Sequence, residues 1–209
     1  AGMSVLAAAE APPVILASGS RARAQLLSAA GVPFTAVPAL VDEAGLRDAL
    51  RAEGVRAEET AVALAEMKAA HVAARVPEAA IVLGSDQILE LDGQWLEKPS
   101  DHAAARAQLL SLRGRSHRLV SAVVAFRGGS RVWHDVDRAT LAVRPFSDGF
   151  LDLYLDAAGE AVLGCVGAYQ LEGLGAQLMA RVAGAQATVL GMPLLPLLQF
   201  LRDQGVLPP

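Results

Sequence analysis

The sequence is short of several things at once, and each shortage closes off a class of protein. A single cysteine, Cys165, excludes an intrachain disulfide and any cysteine-based zinc or iron–sulfur centre. There is no excess of positive charge: 18 basic side chains stand against 22 acidic ones, for a net charge of −4. Neither a general nucleic-acid surface nor an acidic-membrane surface is therefore expected, and any phosphate site must gather its cations locally. Aromatic residues make up 4% of the chain, and Trp95 and Trp133 read as packing residues rather than base-stacking platforms. His71, His102, His117 and His134 are too scattered for metal-ligand spacing. No apolar run is long enough for a bilayer: the strongest, residues 187–201, is interrupted by Pro193, Pro196 and Gln199 and reads as a buried terminal helix. A signal peptide is not visible either. Ala1-Gly2-Met3 reads as a cloning remnant before an initiator methionine, residues 1–12 are expected to be flexible and outside the fold, and a reducing cytoplasm suits the lone thiol.

What is present is a regular alternation of strands and helices. The 209 residues are enough for one continuous core, and a single two-lobed domain over residues 13–209 is expected. Val14-Ile15-Leu16-Ala17 predicts a strand that hands over at Ser18-Gly19-Ser20 to a helix ending near Gly31. A second strand is expected over residues 34–38, then two helical stretches broken near Gly54, the second over residues 58–75. Ile81-Val82-Leu83 predicts an apolar strand that stops at Gly84-Ser85-Asp86, placing Asp86 just past its end. Asp92-Gly93 marks a hairpin. A helix over residues 101–112 and two long strands, residues 117–126 and 131–143 joined through Gly128-Gly129, complete the middle. A short helix over residues 150–155, a glycine-rich stretch from Gly164 to Gly175 and a closing helix over residues 193–204 follow, with Pro193 in its first turn. Together these predict an α/β fold with antiparallel pairing inside a mixed sheet.

Four groups of residues could carry chemistry. Ser18-Gly19-Ser20-Arg21-Ala22-Arg23 sits where a strand hands over to a helix, so free backbone N–H groups, hydroxyls and a bidentate guanidinium could cradle an anion. It is no Walker loop, lacking the glycine-lysine-serine/threonine set, and the same residues serve equally as a helix cap with solvated arginines. Asp86 and Gln87 follow an apolar strand, a position from which a carboxylate can hold Mg²⁺ and orient water; a turn-initiating aspartate is the competing reading. Glu43 and Glu172 each read alone as surface acids, but with Asp86 they offer oxygens for Mg²⁺ or Mn²⁺. Lys68 and Lys98, ordinarily solvated, could supply cations to a triphosphate. Cys165 reads as a structural thiol.

Taken in order, Ile15-Leu16-Ala17-Ser18-Gly19-Ser20-Arg21-Ala22-Arg23, Val41-Asp42-Glu43, Lys68-Ala69, Gly84-Ser85-Asp86-Gln87, Asp92-Gly93, Lys98-Pro99, Leu112-Arg113-Gly114-Arg115-Ser116-His117, Gly167-Ala168-Tyr169-Gln170-Leu171-Glu172-Gly173-Leu174-Gly175 and Gly191-Met192-Pro193-Leu194 resemble the Maf family of nucleotide pyrophosphatases. The likeness extends over nearly all of residues 13–207. It implies a two-lobed fold with an elongated mixed sheet and a central cleft, similar to that of inosine-triphosphate pyrophosphatases, often dimeric. It also implies hydrolysis of nucleoside triphosphates to monophosphate and diphosphate. By the same likeness Asp86 is the catalytic carboxylate, Ser18, Ser20, Arg23, Lys68 and Lys98 are phosphate-side residues, and Glu43 is an acidic active-site position; Glu43 and Asp86 are the expected ligands of a divalent metal, Mg²⁺ or Mn²⁺.

Base preference is carried, in the resemblance, by Ala22, Gln87 and Glu172. Gln87 and Glu172 look like the branch acting on 7-methyl-GTP, whereas the dTTP/UTP branch more typically has threonine and glutamine there. A carboxylate suits guanine N1–H and the exocyclic amine, and suits a cationic methylated base. Ala22, with Arg21 before it and Ala24 after Arg23, departs from the larger residue, proline and second basic residue common around that position. A dTTP/UTP pyrophosphatase, a non-catalytic nucleotide-binding regulator of septum formation and a nucleotide-dependent transferase are the competing functions.

Overall fold

A computed structural model describes residues 4–209; Ala1-Gly2-Met3, expected to be a cloning remnant, lies outside the described residues. The elements run β1 (Val14–Leu16), α1 (Arg21–Ala29), β2 (Thr35–Ala36), α2 (Glu43–Ala52), α3 (Ala57–Ala73), β3 (Ile81–Leu91), β4 (Gln94–Leu96), α4 (His102–Leu112), β5 (Ser116–Arg127), β6 (Ser130–Val143), α5 (Asp148–Ala158), three short 3-10 turns, β7 (Met179–Ala183), α6 (Gln186–Leu190) and α7 (Leu194–Asp203). The strands form one seven-stranded mixed sheet in the order β2-β1-β3-β5-β6-β7, with β4 paired to β3. β1 is parallel to both β2 and β3, while β3–β4 and β6–β7 are antiparallel.

The chain divides into two compact units, and β3, β5 and β6 contribute residues to each. The first unit holds residues 4–87, 121–137 and 190–209. Its core packs Val14, Leu16, Ile81, Leu83, Val123 and Ala125 from the strands against Leu27 of α1 and Leu197, Phe200 and Leu201 of α7. Trp133 stacks on Phe200 at 4.8 Å, the packing role expected of it. Pro193 occupies the position just before α7, so Pro196 rather than Pro193 lies in the first turn. Residues 4–12 are tied into this unit rather than standing apart: the Leu6 amide donates to the Gly31 carbonyl and the Ala8 amide to the Val206 carbonyl, each at 2.9 Å.

The second unit holds residues 88–120 and 138–189. Leu89, Leu109, Leu112, Leu119, Leu141, Leu151, Tyr154, Tyr169 and Leu178 are among the side chains of its core. The Asp92-Gly93 hairpin forms as expected, both residues taking positive φ (48° and 79°) with Leu91 opposite Gln94. Asp101 caps α4, accepting from the Ala104 amide at 2.7 Å, and Ser147 caps α5 in the same way. Among the described residues no helix is long and apolar enough to cross a membrane.

One expectation fails where it matters most. The strand does not stop at Gly84: β3 continues to Leu91, so Asp86 lies in mid-strand and not beyond its end. Gly84 is there because α3 passes too close for a side chain, since a Cβ would stand 2.0 Å from the Ala65 carbonyl oxygen. The glycine admits a helix; it does not break the strand.

Candidate active site

Alternation along β3 sorts its residues to two faces of the sheet. Ile81 and Leu83 enter the core made with α1 and α7, whereas Gly84 meets Ala65 and Ala69 of α3. Asp86 shares the face of Gly84 and therefore meets α3, which presents Lys68 from the next turn after Leu64 and Ala65. The Lys68 ammonium is buried and donates to Asp86 Oδ1 at 2.9 Å; it also pairs with Glu43 Oε1 at 2.9 Å. Glu43 is the first residue of α2, which begins where Asp42 caps it by accepting from the Gly45 amide at 3.0 Å. One cation thus holds two carboxylates that the chain places 43 positions apart in sequence numbering (86 − 43). The remaining Asp86 oxygen, Oδ2, is buried without a hydrogen-bond partner.

Ser85 and Gln87 point the other way. The Ser85 hydroxyl lies 2.7 Å from the Ala122 carbonyl and 2.9 Å from the Gly191 carbonyl, and the Gln87 amide donates to Ser121 Oγ at 3.1 Å. Gly191 O also accepts from Arg23 Nε at 2.9 Å, which fixes the guanidinium against the segment before α7. Gly191 is required to be small here, because a Cβ would stand 3.1 Å from Arg23 Nε and its φ is +119°. Burial pushes the Arg23 guanidinium below its ordinary value, while the charges of Asp86 and Glu43 pull it back up. At neutral pH it stays charged, since an arginine begins far above that range.

The serine loop serves as the helix cap that its residues allow, and leaves room for more. Ser20 caps α1, accepting from the Arg23 amide at 3.3 Å, and Ser18 Oγ accepts from the Ser20 amide at 3.2 Å and from Arg23 Nη1 at 3.5 Å. Both hydroxyl hydrogens remain available to a ligand, beside a helix N-terminus. Ala22 lies in the first turn of α1, partly exposed. The first unit therefore assembles Ser18, Ser20, Arg23, Glu43, Lys68 and Asp86, two carboxylates and two cations among them.

Lys98 and Glu172 belong to the second unit, and both are exposed. Both act electrostatically on Cys165, whose thiol burial pushes up and a hydrogen bond from Gln170 pulls down. That agrees with a structural rather than a nucleophilic cysteine. Glu172 follows a tightly built segment in which Gly167 has φ +78° and ψ 0°, the third position of a type II turn, and Ala168 also has a positive φ of 60°.

For a divalent cation the donors fit a particular kind of site. No cluster of three or more His, Cys, Asp or Glu suited to a metal occurs among the described residues. Magnesium, however, commonly takes one or two protein carboxylates and completes its shell with water and substrate phosphate. Glu43 and Asp86 meet that requirement, with Asp86 Oδ2 as the oxygen that Lys68 leaves uncommitted.

Sequence reasoning passed over Ser85, Ser121 and the Gly191 carbonyl, which together hold Arg23 and Gln87 in place. The glycine of Gly191-Met192-Pro193 was the one visible signal. Comparison with known proteins identifies the family. The family model described as Maf-like protein matches residues 13–204. A protein of Rhodospirillum rubrum named nucleoside triphosphate pyrophosphatase is 52% identical over 196 residues, covering 94% of this chain and 96% of the relative. A protein of the same name from Paramagnetospirillum magneticum is 54% identical over 195 residues, with 93% and 100% covered. A 7-methyl-GTP pyrophosphatase of Rhizobium meliloti is 47% identical over 196 residues, with 94% and 98% covered. Matched by the family model almost end to end, this chain belongs to the Maf family.

Proposed function

We propose that this chain is a nucleoside triphosphate pyrophosphatase, a hydrolase that splits the bond between the α and β phosphates to give a nucleoside monophosphate and diphosphate. The carrying observation is the buried Lys68 held between Glu43 and Asp86, with Asp86 Oδ2 left without a partner. The names of the R. rubrum and P. magneticum relatives support the same reaction.

In this reading Ser18, Ser20, Arg23 and Lys98 hold phosphate oxygens, the arginine through two parallel donors. Lys68 orients Asp86 through its hydrogen bond to Oδ1, and can turn another of its three donors toward a phosphate. Glu43 and Asp86 would hold Mg²⁺ or Mn²⁺, which would supply positive charge to offset that of the departing diphosphate. Asp86 accepts a hydrogen bond from the attacking water and takes its proton as the water oxygen bonds to phosphorus and the bridging P–O bond breaks. Gln87, Glu172 and Ala22 set the base preference. The name of the Rhizobium meliloti relative, 7-methyl-GTP pyrophosphatase, supports a methylated guanine nucleotide rather than dTTP or UTP as this chain's substrate.

Residues 13–209 work as a single two-lobed domain, in the cytoplasm and as a homodimer; the single cysteine suits a reducing compartment. Light scattering on the purified protein checks the dimer.

Incubation with 7-methyl-GTP, dTTP, UTP and ITP plus Mg²⁺ or Mn²⁺, with separation of products, tests the reaction. Monophosphate and diphosphate are expected, and Asp86→Asn should lose at least about 10²-fold in kcat. Orthophosphate with nucleoside diphosphate as products, or binding without turnover on every nucleotide and metal, overturns the proposal.

A further inference from the structure

Outside the charged site, the described residues contain a second buried polar cluster with no place in the reaction as drawn. His117, near the start of β5, is 2% exposed and Tyr169 is 6% exposed. Their Nε2 and hydroxyl oxygen stand 2.6 Å apart, with ring centroids at 5.6 Å. Next to them the Tyr154 hydroxyl of α5 donates to the Ala168 carbonyl at 2.9 Å. Burial pushes His117 down to about 4 and raises Tyr169 and Tyr154, so every member of the cluster is neutral at pH 7. Buried neutral groups neither attract phosphate nor carry charge; they fix shape.

The shape they fix is that of one segment. Gly167 is pressed so closely that a Cβ would stand 2.7 Å from Leu89 and 2.8 Å from the Tyr169 ring. Ala168, fully buried, accepts the left-handed conformation that alanine avoids. Gly175 closes the other end, where a Cβ would stand 2.4 Å from the Gln170 carbonyl oxygen. Residues 167–175 are thus clamped at both ends and over their first three positions. Glu172 is exposed within that frame.

We propose that His117 is a positioning residue for base selection: by anchoring the Tyr169 hydroxyl it holds residues 170–173 in one conformation, so that Glu172 is offered to the nucleobase already ordered. This rests on the assignment of Glu172 to base recognition made above. An ordered carboxylate pays no further conformational entropy on binding, so loosening its frame costs discrimination before it costs turnover.

The test uses the full chain. Tyr169→Phe removes one oxygen and keeps the ring. Amide hydrogen exchange at residues 170–173 should quicken roughly tenfold, the equivalent of one hydrogen bond. The ratio of kcat/KM between 7-methyl-GTP and UTP should fall severalfold, through KM and with kcat nearly kept. His117→Gln, whose amide can still meet the hydroxyl, should retain more selectivity than His117→Ala. Unchanged exchange in both Tyr169→Phe and His117→Ala overturns the proposal. So does an equal loss of kcat on all substrates, the mark of a general structural role. Glu172→Gln leaves the anchor intact and addresses the underlying assignment. An unchanged ratio there, beside quickened exchange in Tyr169→Phe, removes Glu172 from base reading and leaves the anchoring established.

Discussion

The two units bury their polar groups in opposite ways. In the first, the buried side chains include an ammonium and a carboxylate, Lys68 and Asp86, joined by the partly exposed Glu43. In the second, the buried titratable groups are His117, Tyr154 and Tyr169, held neutral by their surroundings. Burying charge is costly and leaves each ion dependent on its partner, a cost that reactivity can justify. A neutral hydrogen-bonded cluster is cheaper to bury and returns rigidity. On the proposed function, the first unit acts on a ligand and the second holds a surface still.

Removing a single ion should break this contrast most sharply. Lys68→Met leaves Asp86 buried beside a second carboxylate, and a loss of about 3 kcal/mol in unfolding free energy is expected. Calorimetry with and without Mn²⁺ sharpens it: metal should raise the midpoint of the variant more than that of the unaltered chain. Equal shifts would take Glu43 and Asp86 out of metal binding.

A pH series probes the neutral side. The folded chain holds His117 near 4, against 6.5 for an unperturbed histidine. Between those values the unfolded chain binds more protons, so stability rises with pH. His117 thus contributes fully above about pH 6.5, and its contribution is lost as pH falls toward 4, by about 3 kcal/mol at most. Urea midpoints from pH 7.5 to 4 should show this slope in the unaltered chain and lose it in His117→Gln.

The smallest effect compares two helix caps. Asp101→Ala and Ser20→Ala should each lower stability by about 1 kcal/mol. Only the second should also weaken turnover, because α1 begins at the loop proposed to hold phosphate and α4 does not. Equal activity in both variants would reduce Ser20 to a cap.

Much of this was legible wherever a few adjacent residues decide the outcome. Asp92-Gly93 requires two positive φ angles, and Asp101 and Ser20 cap helices through amides three positions on, so the hairpin and the starts of α4 and α1 could be read directly. Gly84 was misread because its reason lies in Ala65, on another element; locally a glycine after three apolar residues looks like an ending. β7 was not anticipated, since its five residues are exposed or half-buried and carry no alternation. The candidate site was legible as a set of residue types, through the resemblance. The pairing of Lys68 with both acids, and of His117 with Tyr169, depends on contacts that no spacing encodes.

The Gly191 carbonyl has a further consequence for the order of events during synthesis. It holds Arg23, 168 positions earlier, and meets Ser85, 106 positions earlier. A nascent chain emerging from the ribosome has thus made every residue proposed to touch phosphate or metal well before it makes the acceptor that locks the arginine. Until residue 191 is free to fold back, the loop at residues 18–23 waits without the restraint that the Gly191 carbonyl supplies.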